Sequence, residues 1–318
     1  MTSKLAKYIF IILVPFFSFA QKIDNMSSFR DIKNDSYFRF NYDNDFFSST
    51  DQYYTQGYSF ELVSPFLKKN PVNTIFILPK GNIRKFGLSL EHIGFTPTSI
   101  LSDDILYGDR PFAAAIMLKG FSISTDTIHK SRLISSLNIG IIGPGAFGGD
   151  TQTAIHRWTE NPKPLGWQHQ IKNDVVLNYE LSYEKQLFQL GEIFSLQSNS
   201  TARLGTLFTN ASVGMNASLG IINAPFDTKK EKFTCYIYAQ PLVNAIGYDA
   251  TLQGGLFNRE SPYTIDGNDI ERLTAQVNFG AVVKFGNLYF EYSRVKITRE
   301  FESGKPAKWG GFKIGLKL

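Results

Sequence analysis

From residue 37 onward, apolar and polar side chains alternate with a period of two in one segment after another. Leu273, Ala275, Val277, Phe279, Ala281, Val283 and Phe285 share one face of such a segment, while Thr274, Gln276, Asn278, Gly280 and Lys284 share the other. Val175, Leu177, Tyr179, Leu181 and Tyr183 alternate in the same way with Asn178, Glu180, Ser182 and Glu184. Val213, Met215, Ala217, Leu219 and Ile221 do so with Gly214, Asn216, Ser218 and Gly220. Soluble sandwiches also alternate, but their strands are usually shorter. The pattern predicts strands at 37–45, 55–64, 84–94, 111–125, 131–142, 174–187, 192–206, 210–222, 233–250, 270–285, 287–300 and 307–317. Twelve is an even number, as a single-chain outer-membrane barrel requires. Phe312-Lys-Ile-Gly-Leu-Lys-Leu318 alternates to the last residue, so the last strand can close on the first and remove the sheet edges. The expected fold is therefore all-β, a twelve-stranded antiparallel transmembrane β-barrel.

The connections are unequal. Gly191-Glu192, Thr209-Asn210 and Gly286-Asn287 read as tight turns of the periplasmic side. Longer connections are expected at 64–83, 95–111, 143–173, 223–232 and 256–269. The longest, 143–173, holds His156, Trp158, Trp167 and His169, and its two tryptophans argue against disorder. It opens with Gly-Pro-Gly-Ala-Phe-Gly-Gly-Asp-Thr-Gln-Thr-Ala-Ile-His at 143–156, a glycine-rich turn running into a short helix.

Composition sharpens this picture. Lys4 and Lys7, an apolar run over 8–19 and Ser18-Phe19-Ala20 make a secretory signal peptide of residues 1–20, leaving 21–318 as a single barrel domain. No later segment approaches the roughly 18 uninterrupted apolar residues of a spanning helix. Phe (28), Tyr (15) and Gly (26) are abundant and charged residues are 19%. Cys235 is the single cysteine, so no internal disulfide framework exists; in the strand pattern it reads as a small half-buried residue. The net charge of +5 forms no basic stripe, which speaks against nucleic acid and suits an anionic lipid surface.

Candidate chemistry collects in four places. Gln152 and His156 stand four apart, which on a helix puts an amide and a base that works near neutral pH on one face. Arg39, Asn41, Asp43 and Asp45 share the parity opposite Phe38, Phe40 and Tyr42 and should face inward; the two carboxylates and the amide either form a polar lining or invite a hard cation such as calcium or a neighbouring base. Thr55 shares the parity of Ser59 and Glu61, which makes it an inward hydroxyl near that acidic end. Arg110, beside Asp109, is either a structural ion pair or a phosphate clamp. Trp167 reads as an interfacial ring with Gln168 and Gln170 reaching head-group atoms, or as part of a packed aromatic loop. His92, His129 and His169 have no metal-cluster spacing, and zinc is discounted. Neither a Gly-x-Ser-x-Gly elbow nor a phosphate-binding loop is present.

Six motifs then occur in order: Asn44-Asp45, Thr-Asp-Gln-Tyr-Tyr-Thr-Gln-Gly at 50–57, Gly-Asp-Arg-Pro-Phe-Ala at 108–113, Ile-Gly-Pro-x-Ala-x-Gly at 142–148, Gln-x-x-x-His at 152–156 and Gly-Trp-Gln-x-Gln-Ile-x-Asn at 166–173. With them the chain resembles the outer-membrane lipid A 3′-O-deacylase family, densely over 37–184 and beyond that through strand rhythm alone. The resemblance implies a barrel in the outer membrane that hydrolyses the 3′-linked acyloxyacyl ester of lipid A with calcium. It carries site roles onto Asn44, Asp45, Thr55, Gln152 and His156. It also implies a basic residue between 95 and 106, where this sequence has none.

On this reading His156 is the general base, calcium at Asp45 and Asn44 polarises the ester carbonyl, Thr55 positions a substrate oxygen or water, and Gln152 orients the head group. Asp45 orienting His156 is the competing role. The partners implied are lipopolysaccharide as substrate, the surrounding outer-membrane lipids and the barrel-assembly machinery. Leu318 stands where that machinery's signal usually ends in an aromatic, with Phe312 as the nearest substitute. Two alternatives remain open: a phospholipase acting on glycerophospholipids, and a passive pore.

Overall fold

The computed structural model describes residues 32–48, 52–80, 83–227 and 233–318; the expected leader at 1–20 lies outside them, as do Thr50 and Asp51 of the second motif. Twelve antiparallel strands close into one barrel: β1 (Tyr37–Asn44), β2 (Tyr53–Val63), β3 (Ile83–Thr96), β4 (Ala113–Asp126), β5 (Ser131–Ile142), β6 (Asp174–Leu190), β7 (Phe194–Gly205), β8 (Phe208–Ile221), β9 (Phe233–Asp249), β10 (Leu273–Phe285), β11 (Leu288–Ile297) and β12 (Ala307–Lys317). Each strand pairs with its sequence neighbours, and β1 closes on β12 with Tyr37 opposite Lys317. Among the described residues two α-helices interrupt the pattern, α1 (Gly148–Trp158) and the single turn α2 (Ala250–Gln253). Among the described residues no helix is long and apolar enough to cross a membrane.

All twelve expected strands are present, but the sorting of turns by length needs correction. Connections alternate between the two ends, so 45–52, 97–112, 143–173, 206–207, 250–272 and 298–306 share one end. The tight turn expected at Thr209-Asn210 is at 206–207, among these long loops and away from Gly191 and Gly286. The connections 64–82 and 222–232, though long, lie at the short-turn end.

The parity of the strands sorts side chains between lumen and lipid, as barrels in lipid require. In β10, Thr274, Gln276, Asn278 and Lys284 are buried in the lumen, whereas Leu273 and Phe285 are exposed on the outer wall. Cys235, expected to be half-buried, faces out and is exposed. Lumenal charges meet directly across neighbouring strands: Arg39 with Glu61 at 2.5 Å, Arg132 with Glu184 at 2.9 Å, Arg203 with Glu180 at 2.7 Å and Lys313 with Glu291 at 3.0 Å. Such buried pairs hold because each charge has a partner and bonded neighbours; removing one partner costs about 3–5 kcal/mol.

Apolar layers close this polar lumen above and below. At the loop end Tyr53, Tyr54, Phe95, Met117, Leu252, Phe301 and Trp309 belong to one buried cluster. At the other end Ile32, Tyr37, Phe121, Ile134, Tyr236 and Tyr289 belong to another.

Candidate active site

A third cluster belongs to neither layer. Ala113 and Ala115 join the lumenal cluster, but Ala114 between them packs with Ile100, Phe112, Ala146 and Trp167. The 143–173 connection therefore lies against the outer wall of the barrel. Its turn begins at Gly143, whose φ of 109° suits glycine and where a Cβ would meet Asn173 N at 2.6 Å. His92, stacked on Tyr58 at 4.8 Å, reaches Ala146 O through Nε2 at 2.9 Å and fastens the turn to β3.

Helix α1 seats where Gly148 touches the wall. A Cβ there would stand 2.3 Å from Ala114 Cβ and 2.7 Å from the Trp167 ring, so a helix with any larger residue cannot come this close. Its N-cap, Phe147, has φ 58°, a rare conformation for a bulky residue. Thr151 braces it, donating to Phe147 O from both N (3.0 Å) and Oγ1 (2.8 Å).

Gln152 and His156 are the buried polar residues of α1. The Gln152 amide is held at both ends: Nε2 donates to Thr55 Oγ1 at 2.9 Å, and Oε1 accepts from Trp167 Nε1 at 2.7 Å. This corrects the expectation that Thr55 faces inward. The β2–β3 register slips between Tyr54 and Gln56, and this bulge turns Thr55 toward the helix on the outer wall. With its oxygen accepting from Gln152, Thr55 keeps its hydroxyl proton to donate.

His156 Nδ1 lies 2.6 Å from Pro162 O. A carbonyl only accepts, so Nδ1 carries the proton and Nε2 keeps its lone pair, which is the tautomer a general base needs. The orienting partner is this carbonyl; Asp45 instead accepts from Gln52 N at 2.6 Å. Asn44 Oδ1 accepts from Phe46 N at 2.7 Å while its Nδ2 donates to Thr55 O at 2.5 Å, tying the end of β1 to the bulge.

Asn44 and Asp45 carry side-chain oxygens of the kind a hard cation such as calcium takes, with the Thr55 hydroxyl beside them. Among the described residues no three His, Cys, Asp or Glu side chains gather as a metal cluster.

The remaining expected residues lie around this core. Trp167 is 8% exposed and packs on Phe112 at 5.0 Å, so the packed-loop reading replaces the interfacial one. Gln168 bonds Asp103 Oδ1 at 2.5 Å, whereas Gln170 has a buried Oε1 without a hydrogen-bond partner. Arg110 is enclosed: it pairs with Glu300 rather than Asp109, donates to Thr251 Oγ1 at 2.6 Å and lies over Phe95 at 4.1 Å. It therefore joins three loops as a clamp. Burial, with Asp249 adding and Arg110 opposing, pushes the Glu300 carboxyl up to about 7. Sequence reasoning missed Glu300 and Pro162: neither belongs to a motif, and Pro162 acts through its backbone.

The family model described as "Outer membrane protein LpxR" matches residues 6–318. No curated protein matches the sequence. Among solved structures the chain is similar to LpxR from Salmonella typhimurium, at 20% identity over 89% of this chain and 100% of that one, with a TM-score of 0.74. It is also similar to the beta domain of the Bordetella autotransporter BrkA, at 9% identity over 90% of this chain and 100% of that one, with a TM-score of 0.49. The Salmonella likeness shows a shared fold.

Proposed function

The chain belongs to the LpxR family of outer membrane proteins, and on that premise we propose that it is a lipid A 3′-O-deacylase working at the outer wall of its barrel. The observation that carries this reading is His156, held on α1 with Nδ1 bonded to Pro162 O, so that its basic Nε2 is left for chemistry. A site on the outer wall suits a substrate that arrives sideways through the membrane.

His156 Nε2 takes a proton from water, whose oxygen attacks the ester carbonyl. Thr55, which accepts a hydrogen bond from Gln152, directs its O–H as a hydrogen bond to a substrate oxygen and keeps its proton. The tetrahedral adduct collapses, and the sugar alkoxide leaves with the proton returned by the His156 imidazolium. Calcium, taken by Asp45 with Asn44, supplies Lewis-acid polarisation of the carbonyl when bound. Gln152 is a positioning residue on this account, because both ends of its amide are engaged within the protein.

An acyl ester of a glycerophospholipid would meet the same groups, so the test offers both lipids. Purified protein is given lipid A and a glycerophospholipid, with calcium and then with a chelator. Loss of the 3′ chain of lipid A alone, abolished by the chelator, is expected. Fatty acid released from the glycerophospholipid at an equal rate would refute the substrate assignment, and chelator-resistant cleavage would refute calcium.

A further inference from the structure

Away from this site the outer wall carries a depression across β8 to β11, a cavity of about 550 Å³. Its walls are apolar and face the lipid side: Val213, Met215, Pro241, Val243, Ala275 and Val277. The depression has a backbone cause. Pro241 has no N–H, and the β8–β9 pairing stops between Gly214↔Leu242 and Ala217↔Ala239. Small Ala275 on the next strand leaves the floor low.

One end of the groove is charged. Lys296, next to the last residue of β11 and so at the loop end of the barrel, lines the cavity. It is exposed on the lipid-facing parity, and its side chain makes no hydrogen bond or ion pair among the described residues. Arg294 is exposed on the same face one step along, donating to Tyr292 OH at 3.0 Å and Phe47 O at 2.5 Å. Lys308 stands directly opposite Lys296 on β12. Basic residues on a lipid-facing wall are tolerated near the interface and not at the midplane, so this cluster marks head-group level. Val213 and Met215, at the other end, lie mid-strand in β8. The groove thus starts at head groups and runs into the acyl region.

We infer that this groove binds a phosphorylated lipid of the surrounding leaflet, with one acyl chain lying along Val213, Pro241 and Ala275 and the anionic head group held by Lys296. Charge at one end and hydrocarbon along the other match such a lipid better than a neutral one. The groove is beside the active site and separate from it, because β11 lies two strands round the wall from Asn44, about 10 Å at strand spacing.

The test reads binding alone, so it stands or falls independently of any deacylase activity. Detergent-purified protein is titrated with phosphatidylglycerol or phosphatidylcholine of identical chains, and bound lipid is counted by native mass spectrometry. Wild type is expected to retain one phosphatidylglycerol in preference to phosphatidylcholine. Lys296→Glu should weaken phosphatidylglycerol about tenfold, toward the phosphatidylcholine level. Ala275→Trp, which fills the groove, should remove both, with heat-modifiable gel migration showing that each variant is folded. Equal retention of the two lipids by wild type, undiminished phosphatidylglycerol in Lys296→Glu, or undiminished lipid in Ala275→Trp would each overturn the proposal.

Discussion

Both ends of the Gln152 amide are engaged within the protein, since Trp167 donates to its oxygen and Thr55 accepts from its N–H. Trp167→Phe keeps the ring against Gly148 and Phe112 but removes the N–H. One hydrogen bond is worth about 1 kcal/mol, so lipid A deacylation is expected to fall about fivefold to tenfold with the barrel still folded. Unchanged turnover would show that the amide needs no second anchor. The identities of Gln152, His156 and Thr55 were visible in the sequence as spacings and motifs. Their partners were not: Pro162 acts through a carbonyl, which leaves no side-chain signal, and Thr55 was given the wrong face because strict alternation takes no account of one extra residue in β2.

Helix α1 depends on one missing Cβ. Gly148→Val would drive its side chain into Ala114 and Trp167, lifting the helix from the wall. Deacylation should drop by more than about 100-fold, as misplacement of a catalytic group does, while the strands persist. Circular dichroism and heat-modifiable migration would check the barrel. The loop clamp makes a prediction about pH. Glu300 has an ordinary value of 4.5 and a folded value of about 7. The folded state therefore holds a proton that the opened loop has released, and stability falls as pH rises from about 4.5 to about 7. Hydrogen-exchange protection across 298–306, corrected for the intrinsic rate, should decline over that window. Glu300→Gln should flatten the decline, and an unchanged slope would remove Glu300 as its source. Strands were legible as elements because lipid on one side and a polar lumen on the other enforce a two-residue period. The clamp was not legible, because Arg110, Thr251 and Glu300 come from three loops that only barrel closure brings together.

At the scale of the whole molecule, the lumen is filled with paired charges and capped by an apolar cluster at each end. Planar bilayers containing the protein should stay silent, and steady ion conductance would contradict the packing. A barrel closed in this way presents its chemistry on the outside, where α1 lies against β2 to β4 and a lipid can approach within the plane of the membrane. The proposal joins the family assignment to this arrangement as a hydrolytic site, with His156 as the residue on which it turns. The most direct test is mass spectrometry of lipid A from cells making either wild type or His156→Ala, with equal amounts of folded barrel in the membrane. The account predicts loss of the 3′-linked chains with wild type and intact lipid A with the variant. Continued loss of those chains in His156→Ala would contradict it.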